Sequence, residues 1–141
     1  MANTASTTSS NPLRVLVVED EALIGIMFED ALKELGCEVV KICTTLAQAI
    51  DSAANLELDV AILDFNLRGE QSIAVGQILR DRGIPFVFST GYGSDSVPQD
   101  FRNQILLAKP FGDDDIKTAL ESAMNGRWTF LRPASDAASS I

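Results

Sequence analysis

The chain contains no histidine and only two cysteines, Cys37 and Cys43. That set cannot complete a zinc site or a disulfide framework, and both thiols read as reduced packing residues of a cytosolic protein. Long apolar runs are missing too. No stretch approaches the roughly 18 residues a membrane helix needs, so no membrane partner is expected. Positive charge is scarce, with 11 Lys and Arg against 20 Asp and Glu and a net charge of −9. A surface of that sign repels phosphates, which argues against nucleic acid as a partner. The first positive residue is Arg14. Residues 1–12 ahead of it are rich in Ser, Thr and Asn without an apolar segment, so they read as a disordered leader and not as a secretory signal.

What is present fits one compact domain. A chain of 141 residues with 46% hydrophobic content buries roughly two thirds of its unfolded surface. From Arg14 to about Asn125, short β-rich runs alternate with helical patterns, the signature of βαβ units around a parallel sheet. The first predicted helix, Ala22 to Leu35, carries Ile24, Phe28, Ala31 and Leu35 on one face and stops at Gly36. Thr45 and Gln48 have capping-box spacing at the start of a helix bearing Leu46, Ala49, Ile50 and Ala53. A third helix holds Ala74, Val75, Ile78 and Leu79. A last one, capped by Asp113, repeats Ile116, Ala119, Leu120 and Ala123. Between Ser94 and Gln104 only Val97 and Phe101 lie one turn apart, and Pro98 fits a helix only in its first turn. That segment reads equally as a short or mobile helix and as a plain connecting loop. The domain is placed at residues 13–126. Residues 127–141 form a tail too short for an output domain, whose Trp128, Phe130 and Leu131 either fold back on the core, the favoured reading, or dock on a partner.

Four predicted strands end on chemistry. Val15 to Val18 runs into Glu19-Asp20, Val60 to Leu63 into Asp64, Phe86 to Phe88 into Ser89-Thr90-Gly91, and Ile105 to Ala108 into Lys109-Pro110. In an open parallel sheet, ligands bind beyond the carboxyl ends of the strands, so these ends form one site. Each has a plainer reading alone: a helix-capping acid at Glu19-Asp20, a strand-to-loop junction at Thr90, a surface turn at Lys109. Their joint register favours function. Three converging carboxylates must either take up protons or share a cation, and an oxygen-only set with open positions suits Mg²⁺. The ion keeps Asp64 ionised and offsets the charge of a phosphoryl donor, so that carboxylate attacks phosphorus. Lys109 supplies a point charge to one phosphoryl oxygen and Thr90 a hydrogen bond to another, while Asn66 offers its backbone carbonyl to the metal.

Val-Val-Glu-Asp-Glu at 17 to 21, Leu-Asp at 63 to 64, Thr90 and Lys109-Pro110 together resemble the receiver domain of two-component response regulators, over about Arg14 to Asn125. The strings Pro85-Phe86-Val87-Phe88-Ser89-Thr90-Gly91-Tyr92 and Phe65-Asn66-Leu67-Arg68-Gly69 further resemble a stand-alone subclass with a Phe-Ala-Thr-Gly-Tyr signature, with Ser89 in place of Ala. The resemblance implies an α/β fold, flavodoxin-like and doubly wound: a five-stranded parallel sheet in the order 2-1-3-4-5, flanked by five helices. It implies phosphorylation of Asp64 by a sensor histidine kinase or phosphotransfer protein. It also implies Mg²⁺ on Asp20, Asp64 and the Asn66 carbonyl with Glu19 acting through a water, Thr90 and Lys109 as phosphoryl partners, and a cis Lys109-Pro110 bond.

Two departures stand out. Leu106 occupies the position where most receivers carry a switch aromatic, so Tyr92 or an ordering of Ser94 to Gln104 is expected to take over. Glu19 stands where Asp is commoner, and its extra methylene lets it reach the metal directly or displace a metal-bound water. The expected protein is a cytoplasmic phosphoprotein that catalyses only its own phosphorylation and dephosphorylation and signals through protein contacts, its downstream target unspecified. The rival readings are an aspartyl-nucleophile phosphatase or phosphotransferase, and a receiver-like binding module that is never phosphorylated. The first rival needs an acid near the nucleophile, and Asn66 two positions on cannot serve.

Overall fold

Apolar residues on both sides of every central strand force the sheet to be covered on both faces. The computed structural model describes residues 12–91, 97–101 and 104–128. Five strands, β1 Arg14–Val18, β2 Glu38–Cys43, β3 Val60–Asp64, β4 Phe86–Thr90 and β5 Ile105–Ala108, form one sheet in the order β2-β1-β3-β4-β5. All four pairings are parallel, with one bulge between Val15 and Leu16 against β2. The predicted strand order is observed.

Alternation along the strands sorts the core into two layers. Leu16, Val18, Ala61, Leu63, Phe86 and Phe88 join a cluster beneath α2, Leu46–Asn55, and α3, Ile73–Asp81. Val15, Val17, Val60, Ile62 and Val87 face the other way, against α1, Ala22–Glu34, and α4, Asp113–Met124. Full burial of each such side chain contributes about 1.5–3 kcal/mol, so this two-sided core is what holds the strand ends in register.

The helices begin and end where local chemistry dictates, with three corrections. Leu35 is the C-cap of α1 and not its last helical residue, and Gly36 follows at φ 84°. At α2 the Thr45 hydroxyl accepts from the Gln48 N–H at 3.2 Å, as the spacing predicts. The Gln48 side chain instead accepts from Thr44 N–H at 3.0 Å, one residue earlier than a capping box requires. The N-cap of α4 is the extended Gly112, not Asp113, and its N–H donates to the Asp115 carboxylate at 2.8 Å. Asp113, Asp114 and Asp115 fill the first turn, where the helix dipole favours negative charge.

Four α-helices are present among the described residues, where the family resemblance implies five. Between β4 and β5 stands a single 3₁₀ turn, Gln99–Phe101, closed by Phe101 N–H donating to the Pro98 carbonyl at 2.9 Å. Pro98 has no N–H for a longer helical ladder, and Phe101 is the turn's one buried side chain. Residues 94–96 and 102–103 of the expected element lie outside the described residues, as do Tyr92, Phe130 and Leu131. Trp128 packs partly buried against the α1 and α4 side of the core, in agreement with the fold-back reading for that residue.

Phe101 locks the turn into an aromatic group. Its ring lies 5.8 Å from Phe88 and 6.3 Å from Phe86, and Phe65 meets Phe88 edge-on at 5.3 Å. The Arg80 guanidinium sits 4.0 Å above the Phe101 ring and donates to the Asp100 carbonyl at 3.2 Å. Gly76 of α3 admits these rings, since a Cβ there would lie 3.2 Å from Phe86 and 3.3 Å from Phe101. Gly→Ala inside a helix ordinarily stabilises by roughly 1 kcal/mol. Here Gly76→Ala is expected to destabilise by about 1 kcal/mol by overpacking the rings, and adding Phe101→Leu should recover part of the loss. Urea denaturation of the two single variants and the double variant checks this coupling.

Candidate functional site

The four predicted strand ends meet. Asp64 closes β3 opposite Ser89 of β4, and Thr90 pairs with Ala108, the residue before Lys109. The Lys109 N–H donates to the Thr90 carbonyl at 2.9 Å, and the Glu19 N–H to the Cys43 carbonyl at 2.9 Å, so the sheet ladder continues into the site. One carboxylate oxygen each from Glu19, Asp20 and Asp64 lies within 4.8 Å of the others. Lys109 Nζ stands 3.4 Å from Asp64 Oδ2 and 3.5 Å from Glu19 Oε1. A cavity of about 420 Å³ opens here, lined by Asp20, Glu21, Asp64, Asn66, Arg68, Gly69, Thr90, Gly91 and Lys109. The Lys109-Pro110 bond is cis, as expected. Leu106 stands opposite Phe88 in the ladder and packs partly buried against the aromatic cluster.

The carboxylates differ in surroundings. Asp20 is half-buried and accepts from the Arg68 N–H at 3.0 Å. Asp64 is 5% exposed and accepts from the Asn66 N–H at 3.2 Å. Burial raises its pKa against the opposing pull of Lys109 and that N–H. Glu19 is 1% exposed. Its Oε2 accepts from the Glu21 N–H at 3.1 Å, while Oε1 makes no hydrogen bond among the described residues and has only the long contact to Lys109. Burial, partly offset by the Glu21 N–H, pushes Glu19 up to about 7. Burial opposes the Lys109 charge as well, but Asp64 and Glu19 outweigh it and raise its pKa.

Two residues that fix the site escaped the reading of the sequence. Ser72, fully buried, donates from Oγ to the Asp64 carbonyl at 2.7 Å and from its N–H to the Phe65 carbonyl at 2.9 Å. A Ser directly before an apolar helical pattern signals an N-cap, yet this hydroxyl turns back to the end of β3 and makes no cap bond. Arg68 belongs to a ribbon of two short antiparallel strands, Asn66–Leu67 and Glu70–Gln71, where the Asn66 side-chain oxygen accepts from the Gly69 N–H at 3.0 Å. Ser89, opposite Asp64, keeps a buried hydroxyl without a hydrogen bond among the described residues, and nothing in the structure explains it.

A family model described as response regulator receiver domain matches residues 15–121. The transcriptional regulatory protein PdtaR of Mycobacterium tuberculosis is 29% identical over 126 residues, which are 86% of this chain and 62% of PdtaR, so the chain spans less than two thirds of that relative's length. The solution structure of SdrG from Sphingomonas melonis Fr1 superposes with TM-score 0.73 at 43% identity, covering 80% of this chain and 97% of SdrG. The crystal structure of the response regulator PhyR from Brucella abortus gives TM-score 0.72 at 29% identity, over 95% of this chain and 56% of PhyR.

The site has a pH signature when divalent cations are removed. Glu19 in the folded chain keeps its proton up to about 7, against an ordinary 4.5, so the folded state binds more protons than the unfolded one across that interval. Stability therefore falls as pH rises through the interval and levels off above it. Glu19→Gln is expected to be more stable than the parent by about 1–2 kcal/mol near pH 8 and equal to it near pH 4.5, in chelator. Thermal denaturation of both proteins across this range checks the sign, and a pH-independent difference would contradict it.

Proposed function

The chain belongs to the response regulator receiver family of two-component systems, and on that premise we propose that Asp64 is its phosphoryl acceptor. The observation that carries this reading is the meeting of Glu19, Asp20 and Asp64 with Lys109 in one cavity. Asp64 is buried enough to be desolvated and open enough to line the cavity. Its carboxylate oxygen bonds the phosphorus of a phosphohistidine while the P–N bond breaks and the imidazole leaves with that electron pair. Lys109 holds one equatorial oxygen and the Thr90 hydroxyl another, so Thr90 registers whether Asp64 is modified.

The donor set fits Mg²⁺: oxygen ligands only, close enough to share one ion, with the buried Glu19 Oε1 lacking a hydrogen bond among the described residues. Asp20, Asp64 and the Asn66 carbonyl would hold the ion, with Glu19 acting directly or through a water. Bound there, it supplies positive charge that keeps Asp64 ionised and offsets the charge of the phosphoryl group. The remaining proposals follow from the family. Residues 13–126 are the receiver unit, residues 1–12 and 127–141 flank it as leader and tail, and the donor is a sensor histidine kinase or phosphotransfer protein. The phosphorylated form signals in the cytoplasm through protein contacts, without further enzymatic activity. No helix among the described residues is long and apolar enough to cross a membrane. The phosphatase alternative is disfavoured because Asn66, whose side-chain oxygen is engaged by Gly69, offers no proton to a leaving group.

Incubating the chain with Mg²⁺ and a labelled small phosphodonor tests the assignment. The parent should acquire an acid-stable, base-labile label, Asp64→Asn should acquire none, and Asp20→Asn should label slower by an order of magnitude or more. Label retained on Asp64→Asn would overturn the proposal.

A further inference from the structure

The ribbon beside Asp64 contains an unfavourable choice of residue. Arg68 and Gly69 join its two strands with φ of 50° and 87°. Two successive positive φ values are what a type I′ hairpin turn requires, and Asn-Gly is the sequence that adopts it at least cost, because a long side chain with a Cβ crowds the left-handed backbone. Asn125, the other described non-glycine residue with positive φ, is an asparagine at a helix C-cap, where that conformation is usual. Arginine at 68 carries a steric cost that asparagine would not.

The position so occupied is the mouth of the cavity. Arg68 is exposed, lines the cavity with Asp20 and Asp64, and is anchored by its own N–H on Asp20. The two basic residues that line the cavity have different surroundings. Lys109 is one-fifth exposed and engaged by Glu19 and Asp64, whereas Arg68 makes no ion pair among the described residues. A phosphodonor must approach a chain of net charge −9 through an opening lined by further acids, Asp20 and Glu21. A guanidinium offers a planar fork that matches two phosphoryl oxygens and stays charged throughout.

We propose that Arg68 is a donor-binding residue, whose guanidinium receives the phosphoryl end of an anionic phosphodonor at the cavity mouth and draws it toward Asp64. The proposal rests on Asp64 as acceptor. With acetyl phosphate as probe, an Asp64 oxygen bonds phosphorus, the bond from phosphorus to the acyl oxygen breaks, and acetate leaves with that electron pair. Arg68 transfers no proton.

The test compares the full chain with Arg68→Asn and Arg68→Lys, measuring acyl-phosphate formation from acetyl phosphate and Mg²⁺ at low and high ionic strength, together with thermal midpoints. Arg68→Asn completes an Asn-Gly turn, so its midpoint should equal or exceed the parent's while its second-order rate constant falls by roughly 10-fold at low salt. The gap should narrow as salt screens the charge. Arg68→Lys should keep the salt dependence and an intermediate rate. Equal rates for the parent and Arg68→Asn, a rate loss independent of salt, or a lowered midpoint for Arg68→Asn would overturn the proposal while leaving the acceptor assignment intact. A parent chain that takes no label removes the acceptor assignment, and this role falls with it.

Discussion

Mutual repulsion among Glu19, Asp20 and Asp64 is the constraint around which the molecule is organised. Like charges within 4.8 Å of one another at the mostly buried carboxyl end of the sheet raise the free energy of the folded chain unless a proton or a cation intervenes. Lys109 is one such cation, but it lies 3.4 Å and 3.5 Å from two of them and compensates only in part. Burial is the main cause that raises the pKa of Glu19 and Asp64, and repulsion from a neighbouring carboxylate adds to it in each case. The arrangement is costly as architecture, and it fits the proposed role of holding one divalent ion and one phosphoryl group.

Such crowding persists only on a rigid support. The parallel sheet supplies it, because the buried faces of β1, β3 and β4 leave no freedom for a strand to slide and relieve the repulsion. Beyond the strand ends, backbone hydrogen bonds take over. Ser72 pins the Asp64 carbonyl, Asn66 donates to the Asp64 carboxylate, and Arg68 donates to Asp20, so the ribbon connects Asp64 to a neighbouring acid. On the far side, Phe65 directly follows Asp64 and carries its contact through Phe88 to Phe101 in the turn before β5. With Leu106 in place of an aromatic, this group is the packed connection between the site and that turn.

The strand ends were legible because each is a run of apolar residues that stops on a charged or hydroxyl group and alternates with helical patterns, whereas their order in the sheet followed from the family resemblance. Thr45 was legible as a cap because its partner lies three residues away. Less local features were not. Whether Gly112 or Asp113 caps α4 depends on the path leaving Pro110, and three successive acids each satisfy the sequence rule. The turn at Gln99–Phe101 depends on rings from β4 accepting Phe101 over Gly76, which no window around Pro98 contains. Ser72 and Arg68 act through bonds that span 8 and 48 positions, so their roles appear only once the chain is folded.

The most direct measurement locates the phosphoryl group itself. Reductive trapping of the phosphorylated chain with borohydride converts an aspartyl phosphate to homoserine, which peptide mass spectrometry assigns to a position. Homoserine is expected at position 64 when Mg²⁺ and donor are both supplied, and is expected to be absent when either is withheld. Homoserine at position 20 or elsewhere, or conversion at 64 undiminished in chelator, would contradict it.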